Sequence, residues 1–416
     1  MPHRSTHSDP TLERRSGVLL HVGSLPGGRL GAEAHAFVDW LAEAGQSWWQ
    51  ILPLTPPDVH GSPYASPSAF AAWPGLLAHP GAAVSGVEIA DFRERNAYWI
   101  DDWARSAGPE ALADQVRFDR EWSALRAHAA DRGVRIMGDI PFYVAPKAAD
   151  VDAHPDLFRT DLVAGVPPDA FTADGQLWGN PTYDWDAMAR DGHRWWIERL
   201  RRGAALHDSL RIDHFRAFEA WWGVPRGAQT ASEGAWYPGP GAAVIEAARE
   251  RLGALSLVAE DLGIITPGVH ELMARLGLPG MRVLQFAFPG WPDNTHRPEH
   301  HPERSVVYSG THDNDTAVGW WHQADPQARD EAWNTAAAMG VHDDRPERLL
   351  TRMALASRAG LAIVTMQDLL GLDSRARLNT PGTVHGNWSW RLRPGELTPA
   401  LAAWLREETA RSGRLP

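Results

Sequence analysis

Three acidic side chains stand where short apolar runs end: Asp213 after Leu210-Arg211-Ile212, Glu260 after Leu257-Val258-Ala259, and Asp313 just beyond Val306-Val307-Tyr308. Such groups can cut a glycosidic bond with retention. One carboxylate attacks the anomeric carbon while a protonated partner, roughly 5–5.5 Å away, releases the leaving oxygen. In Arg211-Ile212-Asp213, residues two apart on a strand point the same way. A fixed positive charge therefore lies beside Asp213 and favours an ionised nucleophile. Glu260 has no cation in its immediate sequence, and desolvation there favours the protonated acid that a leaving group needs. Asp261 competes for that role, and local sequence does not separate the two. Thr311-His312-Asp313-Asn314-Asp315 concentrates polar groups in one turn. Asp313 suits a third task, holding sugar hydroxyls and balancing an oxocarbenium-like charge, although Asx-rich turns are also common as plain structure.

These acids need a scaffold that brings distant strand ends together. Apolar, β-branched runs recur at 17–25, 47–54, 134–144, 210–218, 255–262, 281–288, 305–310 and 361–368. Helical spacing fills 32–44, 116–132, 187–206, 242–252, 267–276, 327–358 and 398–412. This alternation predicts an α/β fold with a parallel sheet, and eight strands predict closure into a (β/α)8 barrel. The connection between the sixth and seventh runs lacks a helix. Asp139, Asp213, Glu260 with Asp261, His312 with Asp313, and Gln367 with Asp368 follow five different runs. A single strand-end acid is best read as a helix cap; five of them favour convergence on the barrel's C-terminal face. Two Pro- and Gly-rich stretches, 55–114 and 145–186, follow the second and third strands and are expected to wall or cover that face. The whole of 1–416 reads as one catalytic barrel carrying these insertions.

Composition narrows the function classes. The formal net charge is -12 with no Lys/Arg-rich run, which disfavours a nucleic-acid partner. With no cysteine, disulfides and thiolate metal sites are excluded. The polar first sixteen residues carry no signal-like apolar stretch, and no run is long enough to span a membrane, so a cytoplasmic location is expected. The 21 Trp, several in adjacent pairs such as Trp48-Trp49 and Trp195-Trp196, serve mostly as core filling, with some available to stack on sugars. The run Thr295-His296-Arg297-Pro298-Glu299-His300-His301-Pro302-Glu303 looks metal-like, but its prolines break a helix and it reads as a solvated loop. Neither a phosphate-cradling loop nor a serine nucleophile elbow is present.

The blocks Leu210-Arg211-Ile212-Asp213-His214-Phe215-Arg216, Ala259-Glu260-Asp261-Leu262-Gly263 and Gly310-Thr311-His312-Asp313-Asn314-Asp315-Thr316 closely resemble those of the 4-α-glucanotransferase (amylomaltase) family, glycoside hydrolase family 77 of the α-amylase clan. Ser62-Pro63-Tyr64, Asp139-Ile140-Pro141, Gly165-Val166-Pro167-Pro168-Asp169, Trp178-Gly179-Asn180-Pro181, Gln367-Asp368, Asn379-Thr380-Pro381-Gly382-Thr383 and Asn387-Trp388 are similar too, in family order. The resemblance implies Asp213 as nucleophile, Glu260 as acid/base and Asp313 as transition-state stabiliser. It also implies that Arg211 and His312 line the reacting sugar, with Tyr64, Trp178, Asn180, Asp368 and Asn387 at or behind neighbouring subsites. The implied reaction moves an α-1,4-glucan segment between maltooligosaccharides, with glucose as product or acceptor, and needs no metal or organic cofactor.

The chain departs from that pattern in three places. The stretch between Leu77 and Arg117 is only a modest polar segment where the family carries a helical subdomain. Val59 and Ala170 stand where aromatics are usual, although Phe171 remains. Stripped subsites would admit water, so an α-glucan hydrolase using the same carboxylates is the alternative. A non-catalytic glucan-binding protein on this fold is a further alternative.

Overall fold

Alternating apolar strands and helices close on themselves in the computed structural model, which describes residues 13–168 and 173–416. Asp169, Ala170 and Phe171 lie outside the described residues. In chain order the strands are β1 (Arg15–Leu19), β2 (Trp48–Gln50), β3 (Arg135–Ile140), β4 (Phe158–Val166), β5 (Gln176–Tyr183), β6 (Ser209–Ile212), β7 (Ala220–Pro225), β8 (Ala235–Pro238), β9 (Leu257–Ala259), β10 (Gly280–Val283), β11 (Ser305–Tyr308) and β12 (Leu361–Thr365). Eight of them form a parallel sheet in the order β10-β11-β12-β1-β2-β3-β6-β9, and each arises from one of the eight apolar runs. The two ends of that order meet through the Ala259 N–H, which donates to Pro279 O at 2.9 Å. The fold is a (β/α)8 barrel.

Side-chain alternation sorts each strand into two faces. Leu19, Trp48, Met137, Val258, Met281, Val306, Tyr308 and Ile363 pack together inside the barrel. Val18, Trp49, Ile136, Val307 and Ala362 face outward into a core shared with the helices. Gly17 is required here, because a Cβ would lie 2.4 Å from Trp48 O. The paired tryptophans Trp48-Trp49 and Trp195-Trp196 are fully buried core.

The helical periodicity holds with local breaks. The 187–206 pattern divides into Trp185–Arg190 and Arg194–Leu206 around left-handed His193, and 327–358 divides into Pro326–Ala338 and Pro346–Ala356, where Pro346 begins a new helix. The expected 116–132 helix starts earlier, as Ala111–Asp131. Between β10 and β11 the structure has a short 3-10 turn at Pro298–His300, as the gap in the pattern predicts. The 77–117 stretch differs from a plain polar segment. It forms helices Gly86–Arg95 and Ile100–Ala107, the first opened by a reciprocal Ser85–Glu88 capping box. Phe92, Trp99, Ile100 and Trp103 turn inward with Phe70.

A second sheet, ordered β5-β4-β7-β8 and antiparallel, stands over the C-terminal ends of the barrel strands. The 145–186 stretch supplies β4 and β5. The other half, β7 and β8, comes from residues after β6, where the apolar run to 218 reads as more barrel strand. That run stops at Ile212, and left-handed His214 turns the chain away. At the opposite end, Arg414 follows the C-terminal helix Pro399–Arg411 and closes the barrel floor. Its guanidinium donates to the carbonyls of Leu355, Arg15, Gly360, Ser357 and Ala359 at 2.6–2.8 Å.

Candidate active site

The register between β3 and β6 sets Asp139 beside Arg211, both facing the barrel interior. Arg211 Nη1 donates to Asp139 Oδ2 and Nη2 to Asp213 Oδ1, each at 2.7 Å. The two-residue spacing of Arg211 and Asp213 thus becomes a direct ion pair. Burial alone would lower the guanidinium pKa, but the carboxylates of Asp139 and Asp213 push it well above its ordinary value. Tyr64 Oη donates to the same Asp139 oxygen at 2.7 Å, tying the loop after β2 to this network.

Glu260 arrives from the neighbouring strand, β9. Its Oε2 accepts the His214 N–H at 2.6 Å, one residue beyond Asp213, and its Oε1 accepts the Leu262 N–H at 2.8 Å. The left-handed φ of 48° at His214 aims that amide. Burial raises the Glu260 pKa first, and the charge of Asp213 adds to it. Arg211 and the Leu262 amide pull the other way, and the balance lies at about 8. Asp261 faces elsewhere. It accepts the Met281 N–H at 2.6 Å and an Arg282 N–H at 2.9 Å, stapling the β9–β10 seam. Gly280 makes room for it, since a Cβ there would lie 2.4 Å from Asp261 Oδ2. Geometry separates the two acids.

Asp313 sits in a turn held by Asn314, whose Oδ1 accepts from the Thr311 amide and hydroxyl at 2.8 and 2.9 Å. Asn379 Nδ2 donates to Asp313 Oδ1 at 2.7 Å and Arg377 Nη2 to its backbone oxygen at 2.6 Å. His312 Nε2 is 3.3 Å from the same carboxylate, and its ring stacks on Tyr64 at 5.1 Å with an interplanar angle of 10°. Trp388, at a left-handed φ of 61°, leans on both rings. Tyr64 therefore touches the β3 and β11 sides of the mouth at once. Its pKa is pushed far up, by burial first and then by Asp139, with Asp213 and Asp313 contributing, so its hydroxyl remains a donor.

The remaining expected residues divide. Trp178 on β5 is 39% exposed and meets the His214 ring edge-on at 4.9 Å, beside the Asp213 turn. Asn180 Nδ2 is anchored to Val144 O at 2.8 Å. Asp368 does not present an oxygen to a ligand. It is 1% exposed, and its two oxygens accept from Ser309 Oγ and the Ala317 N–H, both at 2.7 Å. It braces the β11 end and the helix that follows. Asn387 is likewise committed within its own loop, accepting the Thr380 N–H and donating to Thr383 O. Sequence reasoning passed over Arg377 and the bracing role of Asn379, because their partner lies more than sixty residues away. The metal-like run is not a ligand set. His296 accepts the Val283 N–H, His300 pairs with Pro292 O, and His301 pairs with Ser357 Oγ and His296 O. Among the described residues no group of three His, Cys, Asp or Glu could hold a metal ion.

The sequence matches the signature of glycoside hydrolase family 77, described as 4-alpha-glucanotransferase, over residues 20–84 and 110–398. The break at 85–109 coincides with helices Gly86–Arg95 and Ile100–Ala107. The 4-alpha-glucanotransferase of Thermus thermophilus is 39% identical over 97% of this chain and 100% of its own length. That of Streptococcus pneumoniae is 38% identical over 95% of this chain and 97% of its own. The structure of amylomaltase from Streptococcus agalactiae in complex with acarbose superposes with a TM-score of 0.89 at 32% identity, covering 97% of this chain and 100% of that one. A barrel with its acids at one mouth, matched along nearly its whole length by these relatives, places this chain in the 4-alpha-glucanotransferase family, glycoside hydrolase family 77.

Proposed function

We propose that the chain is a retaining 4-α-glucanotransferase that transfers α-1,4-glucan segments between maltooligosaccharides through a glycosyl-enzyme on Asp213. The observation that carries this is the division of charge between adjacent strand ends. Asp213 is clamped by Arg211, whereas Glu260 is raised to about 8 and keeps its proton. Asp213 attacks the anomeric carbon as Glu260 gives its proton to the departing oxygen. Asp313, held by Asn379, takes sugar hydroxyls and offsets the positive charge that develops at the ring. Glu260, now ionised, accepts the proton of the incoming 4-hydroxyl, and the new bond forms as the Asp213 ester breaks. Glucose serves as small product or acceptor, and no cofactor enters the cycle.

Residues 1–416 act as one catalytic unit, with 55–114 as a reduced insertion and 145–186 as part of the cleft wall. Among the described residues no helix is long and apolar enough to cross a membrane, which supports a role in the cytoplasm on maltodextrin or glycogen-derived chains. Val59, 94% exposed at the rim, favours a second reading in which water competes as acceptor and the enzyme is a hydrolase. Incubation with maltotriose decides between them. Glucose together with longer oligomers supports the transferase, whereas glucose and maltose without elongation defeat it.

A further inference from the structure

The upper sheet ends, on the edge away from Trp178, in β8, where Trp236 is 41% exposed. Its neighbours spend their polar atoms internally: Trp221 Nε1 donates to Pro238 O and Trp222 Nε1 to Ala231 O. Among the described residues Trp236 Nε1 has no such partner. One face of the Trp236 ring is covered by the Arg216 guanidinium, 3.9 Å from the centroid, and the Trp222 ring stands edge-on at 5.2 Å. Arg216 is buried and anchored, with Nη1 donating to Ile264 O at 2.6 Å and Glu219 3.7 Å away. The indole is thus held against a buried cation while 41% of the residue is open to solvent, and an aromatic surface of this kind can stack against the C–H face of a pyranose.

Its anchor joins the two loops that carry the candidate acids, because Arg216 lies just beyond Asp213 and grips the segment just beyond Glu260. Arg216 is three residues past Asp213, so their Cα atoms are at most about 11 Å apart. Ile264, which Arg216 grips, belongs to the loop that carries Glu260. The acid/base protonates the oxygen that leaves with the aglycone, so the loop beyond Glu260 borders the leaving-group and acceptor side.

We propose that Trp236 is the platform of an acceptor-side glucose subsite and sets how often the glycosyl-enzyme meets a sugar hydroxyl rather than water. This rests on the glucanotransferase reading above. An α-glucan chain is the occupant, held by stacking on the exposed indole and by its N–H.

The test is the partition of maltotriose turnover between transfer products and hydrolysis in wild type, Trp236→Ala and Trp236→Phe. Both products arise from one intermediate, so their ratio does not depend on how much enzyme is folded. A lost stacking contact should lower the ratio about tenfold in Trp236→Ala, with Trp236→Phe recovering most of it. A Trp236→Ala ratio within about twofold of wild type overturns the subsite, whatever the total rate. Wild-type enzyme that forms no elongated product would instead overturn the underlying transferase assignment.

Discussion

Two buried guanidiniums stand at opposite ends of one barrel and do different things. On the floor, Arg414 is surrounded by five backbone carbonyls, which satisfy its donors without adding a counter-charge. At the mouth, Arg211 sits between two carboxylates, Asp139 and Asp213. Carbonyl dipoles lock a cation in place and close a fold. Burial first, and then the charge of Asp213, keep the next carboxyl, Glu260, protonated against the pull of Arg211. One end spends its polar groups on stability; the other holds them in a state that chemistry can use.

Asp213→Asn breaks the mouth most severely. Removing the proposed nucleophile should lower turnover of maltotriose by about 10⁴-fold or more, while glucan binding, followed by calorimetry, persists. Turnover that survives the change would remove Asp213 from the mechanism, and a wild-type chain that binds glucan without turnover would be a binding protein.

Glu260→Gln should cost about 10²–10⁴-fold in rate, and it also tests the electrostatics. The carboxyl titrates near 8 in the fold against an ordinary value of 4.5, so the folded chain holds the extra proton across that interval. Stability from the neutral acid is complete below the lower value and is lost as pH rises through the upper one. Melting temperatures of wild type and Glu260→Gln should therefore agree at acid pH and separate in favour of the variant by pH 9. Wild-type activity should fall over the same alkaline range. A constant difference in melting temperature across pH would contradict the raised acid.

The floor gives the smallest effect on catalysis. Arg414→Ala strands several buried carbonyls and should lose about 3 kcal/mol of unfolding free energy, read from denaturant midpoints, while the folded enzyme turns over as wild type does. A loss of turnover without loss of stability would mean that the two ends are not separable.

Much of this was legible in the chain itself. Eight apolar runs, five of them ending in acids, announce a parallel barrel, and the Arg211-Ile212-Asp213 spacing announces a pair on one strand face, because strand periodicity is local. The missing helix before β11 is equally local, written in Pro292, Pro298 and Pro302. Left-handed His214 was not legible, so the strand was read six residues too long and the half of the upper sheet that bears Trp236 went unseen. Asp368, expected at or behind a neighbouring subsite, braces Ser309 and Ala317, which are distant along the chain and signalled by nothing near it, whereas Asn387 is committed to Thr380 and Thr383 of its own loop.

Glu260 and Asp261 mark the boundary. As adjacent acids after one apolar run they are equivalent in sequence, which determined only that the run would end in carboxylates at the mouth of a barrel. Tertiary structure decided their fates. Closure brings Met281 and Arg282 to Asp261, and the neighbouring β6 turn brings the His214 amide to Glu260. A carboxyl's protonation follows the charges and dipoles within a few ångströms of it, and the groups that separate these two, Asp213, Arg211 and the His214 amide for one and Met281 and Arg282 for the other, come from other strands.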